Sequence, residues 1–316
     1  MTDDELRAAD ELLSLDGRPT LRLERRFPHP IDKVWRAVTT PEHLAVWFPS
    51  PVQLDLRPGG TMKFSLGGGE GSDQATAGEV LELDPPRRFA FLWEDDRVQL
   101  DLSPDGEGTR LVLLHSFDDK PGAASFASGW DECLAALAPL LAGEPVPTPD
   151  EVQARVAAGS GVRRHEELAA LFGLDRGTVT EAGGTWTIRF ERQLTCPAEV
   201  AWDLFMGIDP ATGAQRQAPA AGEPLTPYAA PDLVLGVVAE VERPKVLAFD
   251  VADGEPGDHL RVELVDGTGH GARLVLTATG SLDRPGERDA AYDQWGAGAV
   301  EHLAAEAAAW ALARAG

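Results

Sequence analysis

The residues of this chain that could take part in chemistry are few, and His115 is the most distinctive of them. The strand predicted around it places His115 on one apolar face with Leu111 and Leu113. An imidazole in an apolar pocket can anchor a polar group of a ligand or donate a proton. A core histidine that bonds a backbone carbonyl fits the same pattern. The sequence leaves both roles open.

Arg25 is the second residue of unusual chemistry. It lies on the apolar face of a predicted strand and is matched by Arg192 later in the chain. An inward arginine usually pairs with a carboxylate, for which Glu79 is a candidate. The alternative is a guanidinium that holds the carboxylate of a ligand.

Aromatic side chains offer a binding surface on three predicted elements. A strand ending at Trp93 and a long helix carrying Trp130 each have an aromatic stripe, which core packing also explains. Trp47 and Phe48 fall in a predicted loop, where large aromatics often rim a binding mouth, although they could instead plug the end of the sheet. The candidate ligand-binding residues are Trp47, Phe48, Phe91, Trp93, His115, Trp130, Cys133, Leu137 and Arg25.

Signatures of catalysis and of metal or cofactor binding are absent from the sequence. The glycine-rich run at residues 67–71 lacks the Lys-Ser/Thr of a phosphate-binding loop, and the histidines show no metal-ligand spacing. Cys133 and Cys196 fall in different modules, and no basic neighbour of Cys133 would lower its thiol pKa. We expect no catalytic residue, no metal and no cofactor, which favours a non-catalytic protein.

The composition limits the class of partner. A formal net charge of -24 argues against nucleic acid, whose phosphates would be repelled, and disfavours an anionic membrane surface for the same reason. The longest apolar stretch, residues 134–142, is far shorter than the ~20 residues that span a bilayer. No basic segment followed by an apolar core opens the chain. We expect a cytoplasmic protein that does not insert into membranes.

The elements that position these residues follow from periodicity and turn residues. Helical spacing predicts a leader helix over residues 3–15, and an alternating pattern then predicts a strand with one buried face. Pro30 and Pro41 suit the first turns of two short helices. Strands separated by turn residues follow over 52–117, and a long helix over 123–142. This order is typical of an α+β domain in which a curved antiparallel sheet wraps around a helix and leaves a cavity.

The same order of elements occurs twice. Trp35 recurs as Trp202 and Trp130 as Trp295, with two strand blocks between them at a nearly constant spacing. In the second copy, an Ala/Pro/Gly-rich run over residues 210–231 replaces the Trp-Phe block and reads as a long loop. The predicted organisation is a leader helix (1–18), a first domain (19–143), a Pro-rich linker (144–184) with helical pieces at 150–157 and 162–172, and a diverged second domain (185–316).

The chain resembles the SRPBCC superfamily, which has the START-like helix-grip fold. Within it, the chain looks most like domains related to the C-terminal part of the activator of heat-shock protein 90 ATPase. In the first copy the resemblance rests on Pro30, Val34, Trp35, Trp47, Phe48, residues 58–60, residues 78–86, Trp93, residues 109–111, His115 and Trp130. In the second copy it is weaker and rests on Pro197, Trp202, residues 236–244, residues 272–274 and Trp295.

The resemblance implies two tandem helix-grip domains, each with two short helices after its first strand and a cavity between its sheet and its long helix. It does not imply one activity, because members carry lipids, bind hormones, cyclise polyketides or assist chaperones. We expect non-catalytic binding of a small hydrophobic or amphipathic molecule in the first domain, with a diverged and structural second domain. The alternatives are a chaperone-associated protein-interaction module and an enzyme of the cyclase or hydratase type that uses His115.

Overall fold

The computed structural model describes residues 7–65, 75–148, 151–152, 154–155, 158–210, 219–226, 232–269 and 271–315. The chain divides into two compact units, residues 1–153 and 154–316. Each unit contains one antiparallel sheet together with helices, so the protein is α+β. The predicted fold class, two helix-grip domains in tandem, is confirmed.

The first unit is built on an eight-stranded antiparallel sheet. Its strands are β1 (Arg7–Leu15), β2 (Arg18–Phe27), β3 (Val52–Leu54), β4 (Thr61–Ser65), β5 (Ala75–Asp84), β6 (Arg88–Trp93), β7 (Asp96–Asp105) and β8 (Gly108–Ser116). They pair in the order β1-β2-β8-β7-β6-β5-β4-β3. Leu111, Leu113 and His115 of β8 are buried, whereas Val112 and Leu114 are only half-buried, which is the alternation of a sheet with one covered face.

Helices of the first unit lie on the covered face of this sheet. They are α1 (Ile31–Thr39), α2 (Pro41–Trp47) and α3 (Ala123–Ala142). As predicted, α1 begins directly after Pro30 and α2 has Pro41 as its first residue, where a missing N–H costs nothing. α1 and α2 both contact α3, and α3 contacts β2. The core of the unit therefore lies between α3 and the sheet, where Leu134 and Leu137 are fully buried.

The predicted leader helix is wrong, because residues 7–15 form β1, an edge strand of the sheet. Asp16 and Gly17 connect β1 to β2 with φ angles of 51° and 82°. An Asp-Gly pair adopts these left-handed conformations readily, and the resulting turn matches the twist of a hairpin. Pairing with β2 thus overrides the helical spacing of the leucines and leaves Leu13 and Leu15 exposed at the edge.

The second unit is built on a seven-stranded antiparallel sheet. Its strands are β9 (Thr178–Ala182), β10 (Thr185–Gln193), β11 (Pro224–Leu225), β12 (Gly236–Glu242), β13 (Val246–Val251), β14 (His259–Asp266) and β15 (Ala272–Ser281). Its helices are α4 (Ser160–Phe172), α5 (Ala198–Phe205), α6 (Glu287–Ala291) and α7 (Ala299–Ala313), with a π-helical segment, Tyr292–Gly298, between the last two. A core of buried apolar residues lies between the sheet and α7.

The two sheets have the same topology. The strand order of the second sheet, β9-β10-β15-β14-β13-β12-β11, repeats that of the first from β1 to β4. Gly78 in β5 and Gly236 in β12 are equivalent, and a Cβ at either would lie 2.1 Å from a carbonyl oxygen of the neighbouring strand. A β-bulge follows each glycine. A shared irregularity of this kind supports two copies of one module rather than two unrelated sheets.

The segment predicted as a linker contributes elements to the second unit. α4 corresponds to the helix predicted over 162–172 and contacts α7, and β9 is an edge strand of the second sheet. The helical piece predicted over 150–157 lies partly outside the described residues, and the glycine-rich turn at 67–71 lies wholly outside them. Part of the loop predicted over 210–231 is also outside, but within it β11 pairs with β12.

Candidate functional site

A cavity of about 370 Å³ lies in the first unit, next to the β6–β7 hairpin, β8 and the first half of α3. We call it the first cavity. It is lined by Pro49, Trp93, Glu94, Asp96, His115, Ser125, Phe126, Gly129 and Trp130. Three of these side chains are aromatic and two are acidic. A largely apolar cavity with a few polar groups is typical of a site for a small molecule.

His115 lines the first cavity and is held through both ring nitrogens. The indole N–H of Trp130 donates to His115 Nδ1 at 3.2 Å, so the proton of a neutral ring lies on Nε2. Nε2 in turn donates to Asp96 Oδ2 at 3.0 Å. The partners are an indole and a carboxylate rather than the backbone carbonyl predicted for a structural histidine. With both nitrogens engaged, proton exchange with a ligand would require one of these bonds to break.

Two carboxylates give the first cavity an acidic edge. Glu94 and Asp96 lie at the turn between β6 and β7, where Glu94 has a φ of 55°, a left-handed conformation uncommon for a residue with a Cβ. Asp96 is also paired with Arg18, which lies behind it at 3.6 Å. The described lining residues include no Lys or Arg. The edge therefore suits a hydrogen-bond donor or a cation better than an anion.

Trp47 and Phe48 are buried at the end of α2. They do not lie in an exposed loop at a binding mouth, which is one of the two roles predicted for them. Trp47 is the last residue of α2, and its indole N–H donates to Ala37 O at 2.9 Å. Phe48 is 8% exposed and lies against Trp93 and Trp130, with ring centroids 5.3 and 5.7 Å apart. These ring contacts bury apolar area that a rim position would leave in water. Neither residue lines the first cavity.

Three other predicted residues also lie outside the lining. Phe91 is buried among the aromatic side chains of the sheet, and Leu137 is fully buried in the core. Burial raises the pKa of the Cys133 thiol to about 12, and neighbouring negative charges add to the effect. A thiol with this pKa is unreactive at neutral pH.

Arg25 is enclosed by acidic residues and does not line the first cavity. It is 1% exposed, and its Nη1 lies 2.9 Å from Asp10 Oδ1 of β1. Its Nη2 is paired with Asp131 of α3. The predicted partner, Glu79, is wrong, because that side chain is exposed on β5. Arg25 thus ties β1 and α3 to β2.

Arg192 repeats this arrangement in the second unit. It occupies the position in β10 that Arg25 has in β2, opposite the equivalent leucine of the neighbouring strand. Its Nη2 lies 2.6 Å from Glu166 Oε2 of α4, and its Nε lies 2.5 Å from Asp175 Oδ1 in the segment between α4 and β9. The two guanidinium groups therefore have the same place in the fold but take their carboxylates from different elements.

The first cavity contains three residues that the sequence pointed to, Trp93, His115 and Trp130. The others were missed as site residues, although a signal existed for one of them. Phe126 precedes Trp130 by four residues and must share its helix face. Glu94 and Asp96 lie at a turn between predicted strands, and the residue types of a turn do not show in which direction its side chains point.

The second unit contains a cavity of about 320 Å³, which we call the second cavity. It is lined by Leu204, Phe205, Met206, Leu225, Thr226, Leu235, Phe249, Trp295, Ala299, His302, Leu303 and Glu306. Only Thr226, His302 and Glu306 are polar. The indole N–H of Trp295 donates to Pro256 O at 2.8 Å, so its ring is an apolar wall. The resemblance implied a cavity in each domain, but none of these residues was predicted as a site residue.

A family model described as "Activator of Hsp90 ATPase homolog 1-like protein" matches residues 28–142. This range begins after β2 and ends with α3, and it includes every residue that lines the first cavity. Residues 28–142 therefore form a domain like those of this family, which we call the activator-like domain. The sequence motifs predicted an SRPBCC domain of the activator type in this part of the chain, and that prediction is confirmed.

Several solved structures are similar to parts of the chain. CalU16 from Micromonospora echinospora is 29% identical over 52% of this chain and 96% of its own, with a TM-score of 0.40. NE0264 from Nitrosomonas europaea is 27% identical over 42% of this chain and 100% of its own, with a TM-score of 0.37. CV1439 from Chromobacterium violaceum is 28% identical over 40% and 97%, with a TM-score of 0.33. Comparison with curated proteins gives no match.

The described residues contain neither a candidate membrane span nor a candidate metal site. Among them, no helix combines the length and the apolar character that crossing a bilayer requires. Nor do the described His, Cys, Asp and Glu side chains form a group of three or more that could hold a metal ion.

Proposed function

We propose that the activator-like domain binds a small amphipathic molecule in the first cavity without catalysing a reaction. The observation that carries the proposal is a cavity of about 370 Å³ with three aromatic rings in its lining and two carboxylates at its edge. The apolar part of the ligand packs against Trp93, Phe126 and Trp130, where apolar area is removed from water. Its polar end meets Glu94 and Asp96 and is a hydrogen-bond donor or a cation.

The state of His115 supports binding rather than catalysis. A general base needs a free nitrogen within reach of the proton that it removes. The bonds of His115 to Trp130 and Asp96 occupy both nitrogens, so the ring fixes the wall of the first cavity. On this view His115→Ala loosens the site and weakens binding, whereas a cyclase or hydratase that used the imidazole would lose turnover with its fold and its affinity intact.

Gly129 of α3 provides a direct test of the site. It lines the first cavity, and a Cβ at this position would meet no atom within 4 Å. Position 129 therefore has room for a Cβ, from which Gly129→Trp extends a ring at the wall of the cavity, whereas Gly129→Ala adds one methyl group and favours the helix. We expect the tryptophan variant to lose the ligand and the alanine variant to keep it.

Native mass spectrometry of the protein purified from its own host is the measurement. The wild-type chain and Gly129→Ala should each carry a small molecule of one mass that Gly129→Trp lacks. A bound molecule that all three proteins retain would place it elsewhere, and a wild-type chain with no bound molecule would reject ligand binding by this domain.

A second candidate function is supported by the description of the matching family. Under it, the activator-like domain is a chaperone-associated interaction module. The protein should then raise the ATPase rate of a heat-shock protein 90 chaperone, with Gly129→Trp as active as the wild type because the first cavity is not used. An unchanged ATPase rate over a range of protein concentrations would reject this candidate.

A further inference from the structure

The bond between Trp130 and His115 is compatible with only one charge state of the imidazole. The indole N–H donates to His115 Nδ1 at 3.2 Å, which requires a lone pair on that nitrogen. Nε2, which carries the proton of the neutral ring, donates to Asp96 Oδ2 at 3.0 Å. A charged ring carries a proton on both nitrogens. Protonation therefore keeps the bond to Asp96 and sets two N–H groups against each other at Nδ1.

Solvent protons have a route to this ring. His115 lines the first cavity, and its side chain is 6% exposed, whereas the side chain of its partner Asp96 is 29% exposed at the cavity edge. Histidine is the side chain whose charge ordinarily changes between pH 5 and 8. The bond from Trp130 is therefore open to pH in the folded protein.

The charged groups near His115 come from the sheet and not from α3. β7 contributes Asp96, and the β6–β7 turn contributes Glu94. Arg18 of β2 pairs with Asp96 at 3.6 Å and with Asp118 at 2.8 Å. α3 contributes no charged side chain to the lining, which it forms with Ser125, Phe126, Gly129 and Trp130. A charged imidazole is therefore held by a carboxylate at Nε2 and meets the indole N–H at Nδ1.

The second unit shows that the fold does not require a histidine at this position. Ala278 of β15 has the place that His115 has in β8. Trp295 is equivalent to Trp130, and its indole N–H donates to Pro256 O at 2.8 Å. A backbone carbonyl accepts a hydrogen bond at any pH, whereas an imidazole nitrogen accepts one only while it is unprotonated. The titratable acceptor is thus a property of the first unit.

We propose that protonation of His115 frees the Trp130 ring from the wall of the first cavity and thereby weakens binding there. The proton passes from solvent to Nδ1, and the indole N–H turns to another acceptor, because an unpaired buried donor is costly. The charged ring also binds Asp96 more strongly than the neutral ring does, which leaves that carboxylate less available to a ligand. The weaker affinity rests on the function proposed above, whereas the release of Trp130 does not.

Fluorine NMR of the intact chain labelled with 5-fluorotryptophan tests the release of Trp130. Trp130→Phe assigns its signal, and His115→Asn assigns the imidazole 15N signals of His115. Between pH 7.5 and 5.5 the two sets of signals should shift with one midpoint, while the signal of Trp295 stays in place because its acceptor is a backbone carbonyl. A Trp130 signal that does not move while His115 titrates would overturn the proposal. So would a His115 whose charge does not change in this range.

Benzyltrimethylammonium tests the effect on affinity, because the charge of this probe is fixed and any pH effect comes from the protein. Its Kd for the wild-type chain should rise about tenfold between pH 7.5 and 5.5. His115→Asn is the matched control, since an amide can accept from Trp130 and donate to Asp96 but does not titrate. Its Kd should stay within about twofold. Equal pH dependence in the two proteins would contradict the proposal. Should His115→Asn fail to fold, the common midpoint of the wild-type signals decides.

Gly129→Trp separates a failure of this inference from a failure of the proposed function. Probe binding at pH 7.5 that is lost in Gly129→Trp supports the first cavity as its site, and a Kd that is then independent of pH rejects this inference alone. Probe binding that survives in Gly129→Trp would place the probe elsewhere and reject both. Absence of probe binding at either pH would reject a cationic ligand together with the pH-dependent affinity, and a shift of the Trp130 signal would then uphold only the release of the ring.

Discussion

At the scale of single residues, the side chains that looked most reactive are held by their neighbours. The sequence could place His115 and Arg25 on inward faces, because strand alternation determines side-chain direction. It could not name their partners. Asp96, Trp130, Asp10 and Asp131 come from distant elements, and only the fold brings them to these positions.

Arg25 offers a prediction about stability. Arg25→Met leaves the buried Asp10 and Asp131 without their shared guanidinium, so we expect the free energy of unfolding of the first unit to fall by about 3–5 kcal/mol. The neighbouring Arg26 has a side chain that is 59% exposed and pairs at the surface. Arg26→Met should cost less than about 1 kcal/mol. Denaturant unfolding of the three proteins compares the two effects, and equal losses would contradict the internal ion pairs.

The two thiols predict a dependence of stability on alkaline pH. Burial raises the pKa of Cys133 and of Cys196 from 9.0 to about 12. Because only the unfolded thiols ionise between these values, their contribution is complete below pH 9 and is lost as the pH rises towards 12. Each thiol should lower the unfolding free energy by about 1.4 kcal/mol per pH unit in this range.

Denaturant unfolding between pH 8 and 10.5 measures this loss. A Cys133→Ala/Cys196→Ala variant is the control, since other groups that titrate in this range remain in both proteins. Its unfolding free energy should fall less steeply with pH than that of the wild type. Parallel pH profiles would show that folding does not raise the thiol pKa values.

At the scale of elements, the spacing of apolar residues predicted helices and strands correctly where one face of a segment is buried. It gave the wrong element where a turn determines which strand the segment pairs with. The spacing of apolar residues predicted α3 with its observed ends, and the turn residues separated β5 to β8 correctly. β1 was predicted as a helix, because its leucines have helical spacing and Gly17 can follow the end of a helix as well as form a hairpin turn. α2 extended further than predicted, to Trp47, because packing against α3 adds stability that local spacing does not reveal.

The β1–β2 hairpin gives a prediction at this scale. Gly17→Val places a β-branched side chain at a φ of 82°, which should cost about 1–2 kcal/mol. Because the strain acts on the turn, amide hydrogen exchange should quicken most in β1 and little in β7 or β8. Asp16→Asn is the control, since asparagine also adopts left-handed conformations readily. Uniform exchange changes across the sheet would argue against β1 as a hairpin strand.

At the scale of the whole molecule, one module is present twice and has diverged in what fills its interior. The repeated topology was visible in the sequence, because tryptophans and strand blocks recur in order. The second cavity was not, because a sequence does not show where packed side chains leave a volume unfilled between a sheet and a helix. Both units carry carboxylates in excess over basic groups, with 28 acidic and 14 basic side chains in residues 1–153 and 24 and 14 in residues 154–316.

This charge excess predicts how salt affects stability. Raising NaCl from 10 to 150 mM shortens the screening length from about 30 Å to about 8 Å, which weakens repulsion among carboxylates in the compact state. The unfolding temperature should therefore rise. Choline chloride at the same ionic strength is the control, because a screening effect does not depend on the cation. A lower unfolding temperature in both salts would mean that the pairs of opposite charge outweigh the repulsion.

The equivalent positions of Arg25 and Arg192 have a consequence for protein engineering. Each guanidinium donates to a carboxylate of a flanking segment, which is β1 in one unit and α4 in the other. The same buried position of the module is thus paired with a carboxylate of a strand in one unit and of a helix in the other. A foreign segment grafted beside either sheet would need an aspartate or glutamate that can reach this guanidinium, because a buried charge without a partner is destabilising.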